Sequence, residues 1–92
     1  MEFTWDERKN RVNRRRHGIS FETAVLVFDD PHHVSVQDRE VDGEERWQTI
    51  GIVGGLHVLL VAHTVDEEEE VIRILSARKA TPRERHFYAQ EN

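Results

Sequence analysis

Residues 56–64, Leu-His-Val-Leu-Leu-Val-Ala-His-Thr, constrain the fold more than any other stretch of the chain. In an extended backbone successive side chains point to opposite faces. Leu56, Val58, Leu60 and Ala62 therefore lie on one face and Leu59 and Val61 on the other. A strand that is apolar on both faces at its centre belongs in the middle of a sheet covered from both sides. Residues 46–53 read as a second strand, and Gly54-Gly55 between the two supplies the positive φ angles of a two-residue hairpin turn. The two strands are predicted to be antiparallel neighbours.

The remaining segments build around that hairpin. Glu2 to Trp5 alternates polar and apolar, as a short strand does. Asp6 is a helix N-cap, and the helix it starts runs to about Arg16 before Gly18. Only Val12 is aliphatic inside it, so a surface helix anchored by Trp5 and Val12 is expected. Ser20 caps a second helix, in which Phe21, Ala24, Val25 and Phe28 share one face until Asp29-Asp30-Pro31 stops it. Val34 and Val36 alternate with polar residues, Asp42-Gly43 marks a turn, residues 66–70 form an exposed acidic turn, and 71–77 return to strand composition. Thr81-Pro82-Arg83-Glu84 carries the N-cap, first-turn proline and third-position glutamate of a helix start. The predicted class is α+β: a mostly antiparallel sheet of three to five strands, with two N-terminal helices and a short C-terminal helix gathered to one side.

Length and composition narrow the function. Ninety-two residues make one domain spanning 1–92. A chain this short buries only about 60–65% of its unfolded surface, so a partner or a second copy would help it. The absence of cysteine excludes disulfides, thiolate zinc sites and a cysteine nucleophile, and fits a reducing cytosol. No apolar run approaches the ~20 residues of a membrane span, and residues 1–6 do not read as a signal peptide, so a cytoplasmic protein is expected. The net charge of −5 hides a division. Residues 1–18 hold six Lys/Arg against three Asp/Glu and residues 73–86 five against one, whereas residues 22–70 hold two against thirteen. Basic ends that meet in space would make a local anion site on an acidic protein.

Arg73 is the most informative single position, a cation on the same strand face as Val71 and Leu75. Such a group needs an anionic partner. It is either a salt bridge to an acidic side chain or a phosphate site. Arg78 and Lys79 follow just before a helix N-terminus, which favours anions, and the arginine fork suits phosphate oxygens. His17, beside Gly18, is a helix-end contact or a proton carrier near neutral pH. Glu45 shares a strand face with Trp47, with Arg46 on the other; Tyr88 is a packing residue or a donor to phosphate. His57 and His63 would lie roughly 20 Å apart on a regular strand, too far for one metal ion, and no metal site or cofactor is read from the chain. Phosphate chemistry remains open without them, because RNA carries its own nucleophile in the 2′-hydroxyl and asks only for alignment, proton transfer and charge stabilisation.

Phe3-Thr4-Trp5-Asp6, Lys9, Asn13, His17-Gly18-Ile19-Ser20-Phe21-Glu22, Val27-Phe28-Asp29-Asp30-Pro31, Glu45-Arg46, His63-Thr64 and Ile72 through Thr81, with Glu84 and Tyr88, resemble the BrnT family along nearly the whole chain. The resemblance implies a RelE-like ribonuclease toxin of a bacterial type II toxin–antitoxin system that inhibits translation. It further implies a BrnA-like antitoxin with a ribbon-helix-helix part, operator DNA reached through that antitoxin, and assembly as a dimer or hetero-tetramer with it. By the same resemblance Arg73, Arg78 and Lys79 contact RNA or act in catalysis, with Glu45, Arg46, His17, Tyr88 and Lys9 as further candidates. Arg16 stands where the family has lysine, and residues 66–70 are unusually acidic. The competing class is a binding module that grips RNA or a partner without chemistry.

Overall fold

The structure is a computed structural model that describes residues 1–91. Five strands form one sheet in the order β1-β5-β4-β3-β2, with β1 at Glu2–Thr4, β2 at Val34–Val41, β3 at Glu44–Val53, β4 at His57–Asp66 and β5 at Val71–Lys79. All neighbours are antiparallel except β1 and β5, which run parallel. The strand that is apolar on both faces, β4, is the central one, and Leu59, Leu60 and Val61 are buried. Gly54 and Gly55 both take positive φ and join β3 to β4. The α+β class and the hairpin follow the sequence reading.

One face of the sheet, here the inner face, carries α1 (Glu7–His17), α2 (Phe21–Ala24) and a 3₁₀ turn over Val25–Asp29. Phe21, Ala24 and Val27 from these elements close on Leu59, Val61, Ile74 and Ala77 as one core. The expected continuous second helix is thus split: it tightens to 3₁₀ at Val25. Gly51 explains the tight approach, since a Cβ there would stand 2.8 Å from Val27 Cγ1 and 3.0 Å from the Val27 carbonyl oxygen.

Two expectations are corrected. Val12 does not anchor α1; it is 47% exposed. Asn10 and Asn13 hold the helix instead, both buried. The Asn13 amide donates to the Ala77 and Ile19 carbonyls at 2.8 and 2.9 Å, and its oxygen accepts from the Ala77 N–H at 3.1 Å. Asn10 accepts from the Phe21 N–H at 2.8 Å and donates to Glu22 at 2.9 Å. An amide that returns both hydrogen bonds of a strand residue docks a helix with no apolar stripe. The second correction concerns α3 (Pro82–Glu91), which lies on the outer face, not with the other helices. Arg78 aligns with Leu60, and Leu60 with Ile50, on the face away from the core, and Arg78 reaches Glu84 of α3 from there.

A bulge decides what else shares that face. Ala62 pairs with Ser76 and His63 with Ile74, so Leu75 is an extra residue in β5. It reverses the alternation, and Arg78 joins Arg73 on the outer face.

Candidate functional site

The outer face beyond α3 is open, and a row of polar side chains crosses it. Thr4, Arg73 and Thr64 are in register on β1, β5 and β4. Carrying the β3–β4 register one residue past Trp47 and His63 sets Arg46 next in the row, and Arg39 on β2 is opposite Arg46. Glu44 bridges the two central cations: its Oε1 accepts from Arg73 Nη2 at 2.8 Å and stands 3.6 Å from Arg46 Nη2. The Arg73 and Glu44 side chains are 46% and 47% exposed. The Arg46 Nε–H is buried and has no hydrogen-bond partner among the described residues. Sequence reasoning passed over Glu44; its signal is the two-residue spacing to Arg46, which puts both on one face once the strand begins at 44.

Arg78 is held differently. Its Nη1 and Nη2 donate to the two carboxylate oxygens of Glu84 at 2.7 and 2.9 Å. Glu84 also accepts from the Thr81 N–H at 2.9 Å while its own N–H donates to Thr81 Oγ1 at 3.2 Å, completing a capping box on α3. The Arg78 hydrogen bonds, opposed by partial burial and aided by Thr81, pull the Glu84 carboxyl down to about 2. Glu84 in return raises Arg78.

The two basic segments touch through α1 and β5, but the groove between them takes its cations from α1 alone. Arg8, Lys9, Arg16 and His17 of α1 line a groove of about 240 Å³ against Leu75 and Ser76 of β5. Ser76 lies on the outer face between Arg73 and Arg78, so the groove reaches the strand that carries both arginines, though neither lines it.

The other candidates stand apart from that row. Glu45 is on the inner face with Trp47, where both line an open cavity of about 590 Å³. Lys79 is exposed at the far end of β5, beside His57 and Arg85. Tyr88 on α3 donates to Asp30 Oδ2 at 2.5 Å, and burial, then this bond, push its hydroxyl up to about 12. Burial would raise Asp30, but the Ile52 N–H, the Tyr88 hydroxyl and the His32 N–H together hold it below its ordinary value. That carboxylate ties α3 to the edge of β3.

His63 is buried on the inner face. Its Nε2 is 2.7 Å from Thr49 Oγ1, which is 2.7 Å from Ser35 Oγ, and Phe28 packs edge-on to the ring. Burial pulls its pKa down to about 4. Among the described residues no group of three or more His, Asp or Glu converges as a metal-binding set. No described helix is long and apolar enough to cross a membrane.

A family model described as the ribonuclease toxin BrnT of type II toxin–antitoxin systems matches residues 5–84. The chain belongs to the BrnT family. The match takes in the arginine row, Arg78 and its Glu84 partner, and stops short of Tyr88. The crystal structure of the Brucella abortus ribonuclease toxin BrnT is similar, with a TM-score of 0.64 and 23% sequence identity over 88% of this chain and 97% of that one. That likeness establishes a shared fold. No curated protein matches the chain. Membership of the BrnT family makes the chain a ribonuclease toxin with an antitoxin as its partner.

Proposed function

We propose that the chain is an endoribonuclease that cuts cellular RNA on the open sheet face, without a metal ion, and thereby inhibits translation in the cytoplasm. The observation that carries this reading is the pair Arg46 and Arg73, two cations of one row served by a single exposed carboxylate, Glu44. An exposed ion pair contributes only about 0–1 kcal/mol. A phosphodiester carries an equal charge and can offer arginine two oxygens where Glu44 offers one, so it can take the place of Glu44.

In the proposed reaction the 2′-hydroxyl oxygen attacks the adjacent phosphorus and the bond from phosphorus to the 5′-oxygen breaks. A base takes the 2′ proton, an acid returns a proton to the leaving oxygen, and the products are a 2′,3′-cyclic phosphate and a 5′-hydroxyl. Arg73 and Arg46 hold the non-bridging oxygens and stabilise the charge that develops on them. His17, in the groove against Ser76 of the strand that carries Arg73, is the proposed proton carrier, and Lys9 with its neighbours on α1 tracks the RNA backbone. Arg78 acts by fixing α3, and Lys79 extends the positive field at the end of β5. Neutralisation by a BrnA-like ribbon-helix-helix antitoxin, with operator DNA bound through it, completes the reading.

Purified chain incubated with end-labelled RNA in the presence of a chelator is expected to yield fragments ending in 2′,3′-cyclic phosphate. The Arg73→Ala variant, folded by circular dichroism, is expected to cut at least 100-fold more slowly. Undiminished cleavage by that variant would remove Arg73 from the site. RNA binding by wild type without any product would favour the binding module.

A further inference from the structure

The inner face carries a second surface, of opposite character to the arginine row. The open cavity of about 590 Å³ beside Trp47 and a second of about 460 Å³ beside Phe3 and Phe28 adjoin at Val65, which lines both, and are taken together here as one groove. Its floor is apolar: Phe3, Phe28, Trp47 and Val65 are all half-buried. Its rim is mostly anionic, with Glu44, Glu45 and Glu67 at one end and Asp29, beside Met1 and His33, at the other, all exposed. Among the described residues no lysine or arginine lines either cavity.

We propose that this groove is the docking site for a basic amphipathic segment of the antitoxin, apolar side chains down and Lys/Arg against the rim. The identity of the partner rests on the toxin–antitoxin reading above; the chemistry of the segment rests on the groove. A rim in which carboxylates outnumber the single Met1 ammonium disfavours RNA and attracts cations, which steers a basic protein segment to it and sets its register. The apolar floor supplies the buried anchors that carry most binding energy at an interface. A second copy of this chain fits poorly. Its most basic element, α1, presents one exposed aliphatic side chain, Val12, to a floor of four apolar groups. Such a contact would also join two different surfaces, and heterologous contacts that do not close into a ring propagate into fibres. The two surfaces meet at Glu44, which lines this groove and also pairs with Arg73 and Arg46.

The test is an Asp29→Lys/Glu67→Lys double variant, both positions being exposed and outside the arginine row, with Asp29→Asn/Glu67→Gln as a milder companion. Each is titrated calorimetrically with the antitoxin encoded beside the chain, and assayed for RNA cleavage and thermal unfolding in parallel. The expected result is at least a 30-fold loss of antitoxin affinity for the lysine variant and a smaller loss for the neutral one, at unchanged melting temperature and unchanged cleavage. Full affinity in the folded lysine variant overturns the proposal. So does a wild-type self-association that disappears in the variant, which would give the groove to a second copy, and so does loss of RNA binding. Failure of the ribonuclease reading shows separately, as cleavage that is absent in wild type or indifferent to Arg73→Ala.

Discussion

Arg73 and Arg78 lie on one strand and, through the bulge at Leu75, on one face, roughly 15 Å apart along the chain. Arg78 is gripped at both nitrogens by a carboxylate that is also part of a helix cap. Arg73 touches one oxygen of a glutamate that is as exposed as itself. The same residue type is therefore structural in one place and available in the other. The difference lies in how many other bonds the partner carboxylate is making, since a carboxylate built into a cap cannot leave without unravelling the turn it caps.

The largest effect that would break this contrast is on activity. Arg73→Ala is expected to lower cleavage about 100-fold or more while stability stays within about 0.5 kcal/mol, measured by single-turnover kinetics and thermal melts. Next, Arg78→Ala is expected to cost about 1–2 kcal/mol, a fall in melting temperature of several degrees for a domain of this size. In double-mutant cycles the Arg78/Glu84 pair should couple by about 1 kcal/mol and Arg73/Glu44 by less than about 0.5 kcal/mol. Equal couplings would erase the distinction.

Acid separates the Arg78 tie from the rest of the fold. Because the Glu84 carboxyl falls from an ordinary 4.5 to about 2 on folding, its contribution is complete above about pH 4.5 and disappears only as pH falls through about 2. His63 acts earlier and by the opposite charge. Its ring falls from 6.5 to about 4, so the unfolded chain takes up a proton that the folded chain refuses. Stability from this source is whole above pH 6.5 and declines towards pH 4, by about 3 kcal/mol in all. A melting-temperature profile should therefore drop between pH 6.5 and 4, and His63→Gln should flatten that drop without altering the one below pH 4.5. The smallest expected effect is that of Glu44→Gln, about a threefold gain in RNA affinity at unchanged stability, read by filter binding.

Much of this was legible in the chain where a residue type has a single local meaning. Asp6 caps α1 as its position implied, Gly54-Gly55 turns the central hairpin, and Thr81 with Glu84 boxes the start of α3. What escaped was set by tertiary geometry. Asn10 and Asn13 read as polar surface because periodicity counts only apolar side chains, yet they are the anchors of α1. The Leu75 bulge leaves no mark in composition, and it alone puts Arg78 with Arg73. Glu44 and Glu45 differ by one residue and thereby by a whole face of the sheet, so that Glu44 and not Glu45 meets the arginines.

Asn13 has one more consequence. β1 pairs with β5 only as far as Arg73, so residues 74–79 form an open border of the sheet, and the amide of Asn13 occupies it at Ala77 as a single-residue substitute for a sixth strand. At the opposite border β2 is interrupted at Asp38 and charged at Arg39 and Glu40. Each of these borders is thus hindered at one point, Ala77 or Asp38, from pairing with a further chain. At Ala77, then, one helix-borne carboxamide takes up backbone groups that would otherwise be left for another strand.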